Sequence, residues 1–317
     1  METKEQVLLT LAQSPEGISG EKLANALGLS RNAVWKAVTA LREDGYTIQA
    51  KQNVGYILVD APVTAALIRN ALHMPLTVEV HDQIDSTNNR AKMLAEDGAE
   101  NGTIVCARRQ TGGRGRYGRP FFSPEGGVYM SVILRPQVPA ERAVMLTPMA
   151  AVAVAHAIEA LSDTNVKIKW VNDLFLHGKK VCGILSEASM DFESGQLAYA
   201  VIGIGINVKK MTFPQEISEI ATSIGNECPQ DVSPNQLIAG IAERLVSMMG
   251  ELENGNFMAE YRKRSNVIGK RIQVRRGDEQ FPAVAVDIDS AGGLIIQTES
   301  GMETVRSGEI SIRLEEK

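Results

Sequence analysis

The run Gln110-Thr-Gly-Gly-Arg-Gly-Arg-Tyr-Gly-Arg119 holds the densest chemistry in the chain. With Arg108 and Arg109 before it, the run brings five arginines, including Arg114, Arg116 and Arg119, and no acidic residue. Glycine lets backbone amides approach a ligand closely, and the guanidinium fork matches carboxylate and phosphate oxygens. A mobile, cationic loop of this kind suits an anionic substrate. Three more clusters follow the same theme. Asp85-Ser-Thr-Asn88 is a polar turn, with Ser86, Thr87 and Asn88 offering hydroxyl and amide groups. Lys169-Trp-Val-Asn-Asp173 ends a strand in an amide, Asn172, and a carboxylate, Asp173. Lys180 opens the next strand, which also carries Gly183, close to Asn172 and Asp173 if the two strands pair. Gly203-Ile-Gly-Ile-Asn207 puts Gly203 and Gly205 on one face of a further strand, as where a ligand or another backbone comes close. Hydroxyls, amides and glycines suit a neutral, hydrogen-bonding head group on a flat sheet. Arginine and lysine suit anions, and Asp173 suits a magnesium-bound triphosphate.

Other chemistries find little support. Gly113-Arg-Gly-Arg-Tyr-Gly118 matches the dinucleotide fingerprint, but that motif must open a helix. Here Arg119-Pro-Phe-Phe-Ser-Pro-Glu-Gly-Gly127 follows, which breaks helices. No Gly-Lys-Ser/Thr makes a P-loop and no Gly-x-Ser-x-Gly anchors a serine hydrolase. The four histidines, His73, His81, His156 and His177, form no zinc pattern. Cys106, Cys182 and Cys228 are scattered, which argues against a disulfide framework and for buried thiols in a cytoplasmic protein. There is no run of eighteen apolar residues and no signal-peptide pattern, so no membrane role is expected.

The elements that must position these groups fall into three blocks along 317 residues. Over 1–61, helices are expected at Thr3–Gln13, at Gly20–Leu27 capped by Ser19, and at Arg31–Asp44 capped by Ser30. A hairpin, Tyr46–Lys51 with Gly55–Val59, completes a winged helix-turn-helix. Val34, Val38 and Leu41 read as core. Arg31, Asn32, Lys36 and Thr39 read as DNA-binding, and Trp35 as half-buried packing. Six basic side chains against seven acidic ones leave residues 1–60 at a net −1. Such a domain binds DNA weakly alone and needs dimerisation or a ligand. Over 62–265, a helix from Thr147-Pro148 to Leu161, a helix capped by Ser233-Pro234, and strands at 102–107, 166–170, 174–176, 180–185 and 198–207 imply a largely antiparallel sheet. Over 266–317, short strands at Arg271–Val274, Phe281–Val286, Leu294–Gln297 and Ile310–Arg313 read as a small barrel. The basic stretch from Lys263 to Arg276 reads as a solvated face.

The four clusters together, in this order, resemble the successive signatures of the bifunctional biotin protein ligase and biotin operon repressor family. The winged helix in front and the barrel behind match the same family, so the resemblance spans essentially the whole chain. One departure stands out: the family pattern is usually Lys-Trp-Pro-Asn-Asp, and Val171 replaces the proline. The resemblance implies an α+β multidomain fold, with a class II synthetase-like antiparallel sheet in the centre and an SH3-like C-terminal domain. It implies that the enzyme joins biotin to ATP, then passes biotin to a lysine of a biotin carboxyl carrier protein. Carried over residue by residue, Ser86, Thr87, Asn88, Gln110, Gly113, Gly115, Gly183, Gly203 and Gly205 would hold biotin. Arg114 and Arg116 would close over biotin and phosphates, and Lys180 would bridge biotin's carboxylate and the α-phosphate. Arg119 and Asn207 would sit near the nucleotide, and Asp173 with Asn172 would organise Mg2+ or the attacking lysine. Arg116, Lys180 and Asp173 would be catalytic. Operator DNA and a homodimer formed on adenylate binding are the further partners implied. A lipoyl- or octanoyl-type ligase, a biotin-sensing repressor without catalysis, and a ligase with a silent winged helix remain open at this point.

Overall fold

The computed structural model describes residues 2–277, 279–306 and 308–312. Asp278 of the expected turn and Arg313 of the expected last strand lie outside them.

The N-terminal elements are α1 (Thr3–Ala12), α2 (Gly20–Leu27), α3 (Arg31–Glu43), β1 (Thr47–Lys51) and β2 (Gly55–Asp60). The Ser19 and Ser30 hydroxyls accept from Lys22 N and Ala33 N, each at 3.1 Å, which satisfies one free donor at the start of α2 and of α3. Gly28 ends α2 at φ +65°, a left-handed cap that glycine takes without strain. Val34, Ala37, Val38 and Leu41 bury one stripe of α3 against α1 and α2. Arg42 bonds the Ile48 carbonyl through Nε and Nη2, so it ties α3 to the hairpin. Trp35 departs from expectation: it is 55% exposed.

The central block runs α4 (Ala65–Ala71), β3 (Val78–Ile84), α5 (Thr87–Glu96), β4 (Ile104–Gln110), β5 (Gly127–Leu134), α6 (Leu146–Leu161), β6 (Lys167–Lys169), β7 (Asp173–Leu176), β8 (Lys179–Met190), β9 (Leu197–Asn207), α7 (Ile224–Glu227), α8 (Pro234–Met248) and α9 (Met258–Arg264). Its seven strands form one sheet in the order β3-β4-β5-β9-β8-β7-β6. Only the edge pair β3–β4 is parallel; the other pairs are antiparallel. His177 (φ +46°) and Gly178 (φ +85°) make the two-residue turn between β7 and β8. The sheet has helices on both faces, α5 on one and α6 with α8 on the other. Thr147-Pro148 sits inside α6 rather than at its start, because a 3-10 turn over Ala140–Met145 leads straight into it. Ala140–Leu161 is long and apolar enough to cross a membrane, but 67% of its most apolar 18-residue window is buried inside the protein, as befits a core helix.

The last block, β10 (Arg271–Arg276), β11 (Glu279–Ile288), β12 (Leu294–Thr298), β13 (Gly301–Val305) and β14 (Glu309–Ile312), is an antiparallel sheet in the order β13-β12-β11-β10-β14. Its apolar face merges with the core of the central block. The basic stretch expected to be a solvated face is partly structural: Arg264 is buried and forks onto Glu159 at 2.6 and 2.8 Å. It thereby joins α9 to α6. Burial raises the Glu159 pKa, but Arg264 and the Val166 N–H outweigh that and hold it below its ordinary value.

Removing one partner of such a pair strands the other charge. Arg264→Ala should therefore cost about 2–3 kcal/mol in urea or guanidinium unfolding at pH 7, after a discount for Glu159's partial exposure. Because the folded Glu159 pKa is depressed, the loss should be full above the ordinary carboxylate range and should fade as pH drops through the folded value. A variant as stable as the parent would contradict this role.

Candidate active site

The expected motifs meet on the α5 face of the central sheet. Two rows of paired residues cross it. Asp173 pairs with Gly183, Gly183 with Gly205, and Gly205 with Tyr129. Leu185 pairs with Gly203, and Gly203 with Ser131. Directly opposed residues point to the same face, so Gly183, Gly203 and Gly205 clear a flat floor, with an acid at one end. What fills the space above these glycines is partly the chain itself. A methyl group on Gly203 would lie 2.1 Å from Asn88 Oδ1, and one on Gly205 would lie 2.5 Å from the Phe121 ring.

Lys180 reaches this face because β8 carries an irregularity. The register shifts between Leu174 and Phe175, so that Phe175 opposes Lys180 while Leu174 opposes Cys182, leaving Val181 as an extra residue. A bulge of this type reverses the alternation of side chains. Lys180 Nζ lies 2.7 Å from Asp173 Oδ1. The contact is off the line of a hydrogen bond, so among the described residues this buried oxygen has no aligned donor. The backbone of Lys180 is held from outside the sheet, by Ile220 O and Thr222 N at 2.8 Å each.

The arginine loop folds back on itself. Phe121 N bonds Gly113 O and Gly115 N bonds Arg119 O, closing a narrow neck with a 3-10 turn at Arg116–Gly118. Arg116 spans the site: Nη1 reaches Asn172 Oδ1 at 3.4 Å, and Nη2 reaches the Gly308 carbonyl of the last domain at 3.3 Å. Asn172 in turn donates to Ile184 O at 3.0 Å.

The polar turn opens a helix: Ser86 is the N-cap of α5, and Thr87 and Asn88 begin it. Their groups are largely used within the protein. Gln110 Oε1 accepts from Thr87 N and Oγ1 at 2.8 and 3.1 Å, and Gln110 Nε2 donates to Ser123 at 3.2 Å. Ser131 bonds Thr87 and Asn88 at 2.8 and 2.6 Å, and Asn88 donates to Glu187 at 2.7 Å. Burial raises the Glu187 pKa, but the bonds from Lys92 and Asn88 outweigh it, so the carboxyl sits below its ordinary value. This network fixes the side wall.

These groups surround a cavity of about 390 Å³. Of the expected residues, Ser86, Thr87, Asn88, Gln110, Arg114, Gly115, Arg116, Arg119, Asn172, Asp173, Lys180, Gly183, Gly203, Gly205 and Asn207 line it. Gly113 does not; it stands behind the wall, where a methyl group would lie 2.7 Å from Ser123 Oγ. Sequence reasoning missed Phe121, Phe213, Ile217, Ile220, Ala221 and Ile310, which supply the apolar lining. It also missed Ser131, whose one signal is a small polar residue inside the apolar run of β5. Two further residues brace the Asn172–Asp173 turn from below. Trp170 Nε1 donates to Gly292 O at 2.9 Å, and the Tyr261 hydroxyl donates to Val171 O at 2.9 Å.

A flat floor, a polar wall and a cluster of cations suit an acid and a nucleotide, the chemistry of a ligase. The Biotin/lipoate A/B protein ligase family matches residues 80–207, an HTH domain matches 3–57, and the Biotin protein ligase C terminal domain matches 267–313. Bifunctional ligase/repressor BirA of Bacillus spizizenii is 35% identical over 98% of both chains. BirA of Bacillus subtilis is 36% identical over 94% of both. Biotin protein ligase from Aquifex aeolicus, solved in complex with biotin and ATP, superposes with a TM-score of 0.64 at 28% identity, covering 75% of this chain and 98% of that one. The chain belongs to the biotin protein ligase family, with the architecture of its bifunctional ligase/repressors.

Cys182 lines the cavity, yet burial pushes its thiol well up, as it does for Cys106. A neutral, buried thiol is a poor nucleophile. Iodoacetamide should leave Cys106 and Cys182 unmodified in the native protein and label all three cysteines after unfolding, as read by mass spectrometry. Rapid native labelling of Cys182 would contradict this.

Proposed function

We propose that this protein activates biotin with ATP, transfers it to a carrier-protein lysine, and represses transcription through its winged helix. The observation that carries the reading is the Lys180–Asp173 pair beside Arg116 at the end of a glycine floor. A carboxylate must approach the α-phosphorus of ATP, and both are anions. Fixed cations in a partly dry site stabilise the charge that builds there. Biotin's ring takes the Gly183–Gly205 floor, where the Phe121 ring now lies and must swing aside, against the wall of Ser86, Thr87, Asn88 and Gln110. Its carboxylate points to Lys180 and Arg116. Arg114, Arg116, Arg119, Asn172 and Asn207 take the nucleotide. The carboxylate oxygen bonds to phosphorus as pyrophosphate leaves. A neutral lysine amine of a biotin carboxyl carrier protein then attacks the acyl carbon, and AMP leaves. Asp173, already paired with Lys180, would hold Mg2+ as its one carboxylate ligand only together with phosphate oxygens. When bound, the ion would neutralise phosphate charge. We place this chemistry in the cytoplasm and assign it to residues 62–265, with the DNA reader at 1–61 and the closing domain at 266–317.

On the DNA side, Arg31, Asn32 and Lys36 are exposed on α3, while the Thr39 hydroxyl is engaged with Trp35 O at 2.9 Å. Near-neutral charge makes binding depend on dimerisation driven by the adenylate. Equal operator affinity with and without biotin and ATP would contradict this.

The test of the enzyme is pyrophosphate–ATP exchange by the purified protein. Exchange should require biotin and Mg2+, ignore octanoate, and fall at least about 100-fold in Lys180→Ala, as for a lost charge-assisted contact in the transition state. Exchange driven by octanoate would make the protein a lipoyl-type ligase. No exchange with either acid would leave a sensor-repressor.

A further inference from the structure

The chain has two tryptophans, and they live in opposite surroundings. Trp170 is 5% exposed and its indole N–H is bonded. Trp35 is 55% exposed, and no hydrogen bond or ring contact among the described residues holds its indole. It stands in the N-terminal half of α3, the second helix of the helix-turn-helix. Arg31 precedes it by one turn, and Lys36 and Asn32 are exposed beside it. Resting on the DNA-reading function proposed above, we infer that Trp35 is a specificity-determining residue that packs on thymine methyl groups in the major groove.

The N-terminal half of a recognition helix is the part that meets base edges, so the exposed ring stands where sequence is read. In the major groove the apolar feature is the thymine C5-methyl, which apolar side chains contact. The flanking cations suit a polyanion and disfavour a second copy of the same face. The domain's net charge of −1 adds weight, because little phosphate neutralisation is available to supply affinity. An apolar base contact contributes what charge does not.

The experiment starts from duplexes selected out of a random library by the full-length protein with biotin, ATP and Mg2+. Each thymine is then replaced in turn by uracil, which deletes one methyl. At one or more positions the wild type should lose about fourfold in affinity per methyl. Trp35→Ala should bind the thymine and uracil duplexes at those positions equally, and Trp35→Phe should keep part of the preference. The slope of log affinity against log salt should be unchanged in Trp35→Ala, whereas Lys36→Ala should lower it by about one. If thymine and uracil duplexes bind the wild type alike, or Trp35→Ala keeps the discrimination, the inference falls. It falls equally if Trp35→Ala weakens self-association and leaves the discrimination intact. Failure to select any duplex would overturn the DNA-reading function itself.

Discussion

One extra residue in a strand decides where the key cation stands. In a regular β8, Lys180 and Gly183 would face opposite sides of the sheet, since side chains alternate. The additional Val181 reverses that parity, so Lys180 projects over the glycine floor toward Asp173. In the proposed reaction, bringing two mutually repelling anions together requires a cation on that face. The 220–222 segment grips the Lys180 backbone on both sides, so the aim is built into main-chain hydrogen bonds rather than left to a flexible side chain.

Distant parts of the chain converge on the same spot. Arg116 links the loop to Asn172 and to Gly308 of the last domain. Trp170 and Tyr261 hold the Asn172–Asp173 turn from the C-terminal sheet and from α9. The apolar cores of the central and last blocks are continuous, so the last block is part of the site's frame. The N-terminal domain is tied to the same sheet. Asp60 at the end of β2 pairs with Lys209, two residues beyond Asn207. Asn235 on α8 bonds Thr64 N and Pro62 O, each at 3.0 Å, across the connection between the domains. Arg108, two residues before Gln110, donates to Val63 O at 3.2 Å. The Asp60–Lys209 tie that seats the DNA reader thus arises two residues from Asn207, which lines the cavity.

Much of this was legible in the sequence because it depends on local rules. Serine caps, left-handed glycines and the His177-Gly178 turn mark the ends of elements, and the four motifs lie at strand ends or loops of one sheet. What was hidden depends on tertiary context. Nothing in Lys180-Val-Cys-Gly183 announces a bulge, and a strict alternation assigns Lys180 to the wrong face. Asp85–Asn88 reads as a turn because its polar side chains obscure the amphipathic helix that follows. The apolar lining from 213 to 221 comes from irregular chain, which has no period to detect. Arg264 looked like one more solvated cation until the fold brought Glu159 to it. Trp35 was misread because an aromatic beside an apolar stripe usually packs with it.

The central claim is that Lys180 acts where carboxylate meets phosphate, rather than as general support for the pocket. Isothermal titration of Lys180→Met with biotin and with a non-hydrolysable biotinyl-adenylate analogue tests it most directly. Loss of one charge-assisted contact at the junction predicts about a 10- to 100-fold weaker analogue, with biotin affected only a few-fold. Equal weakening of both ligands, or of neither, would contradict the account.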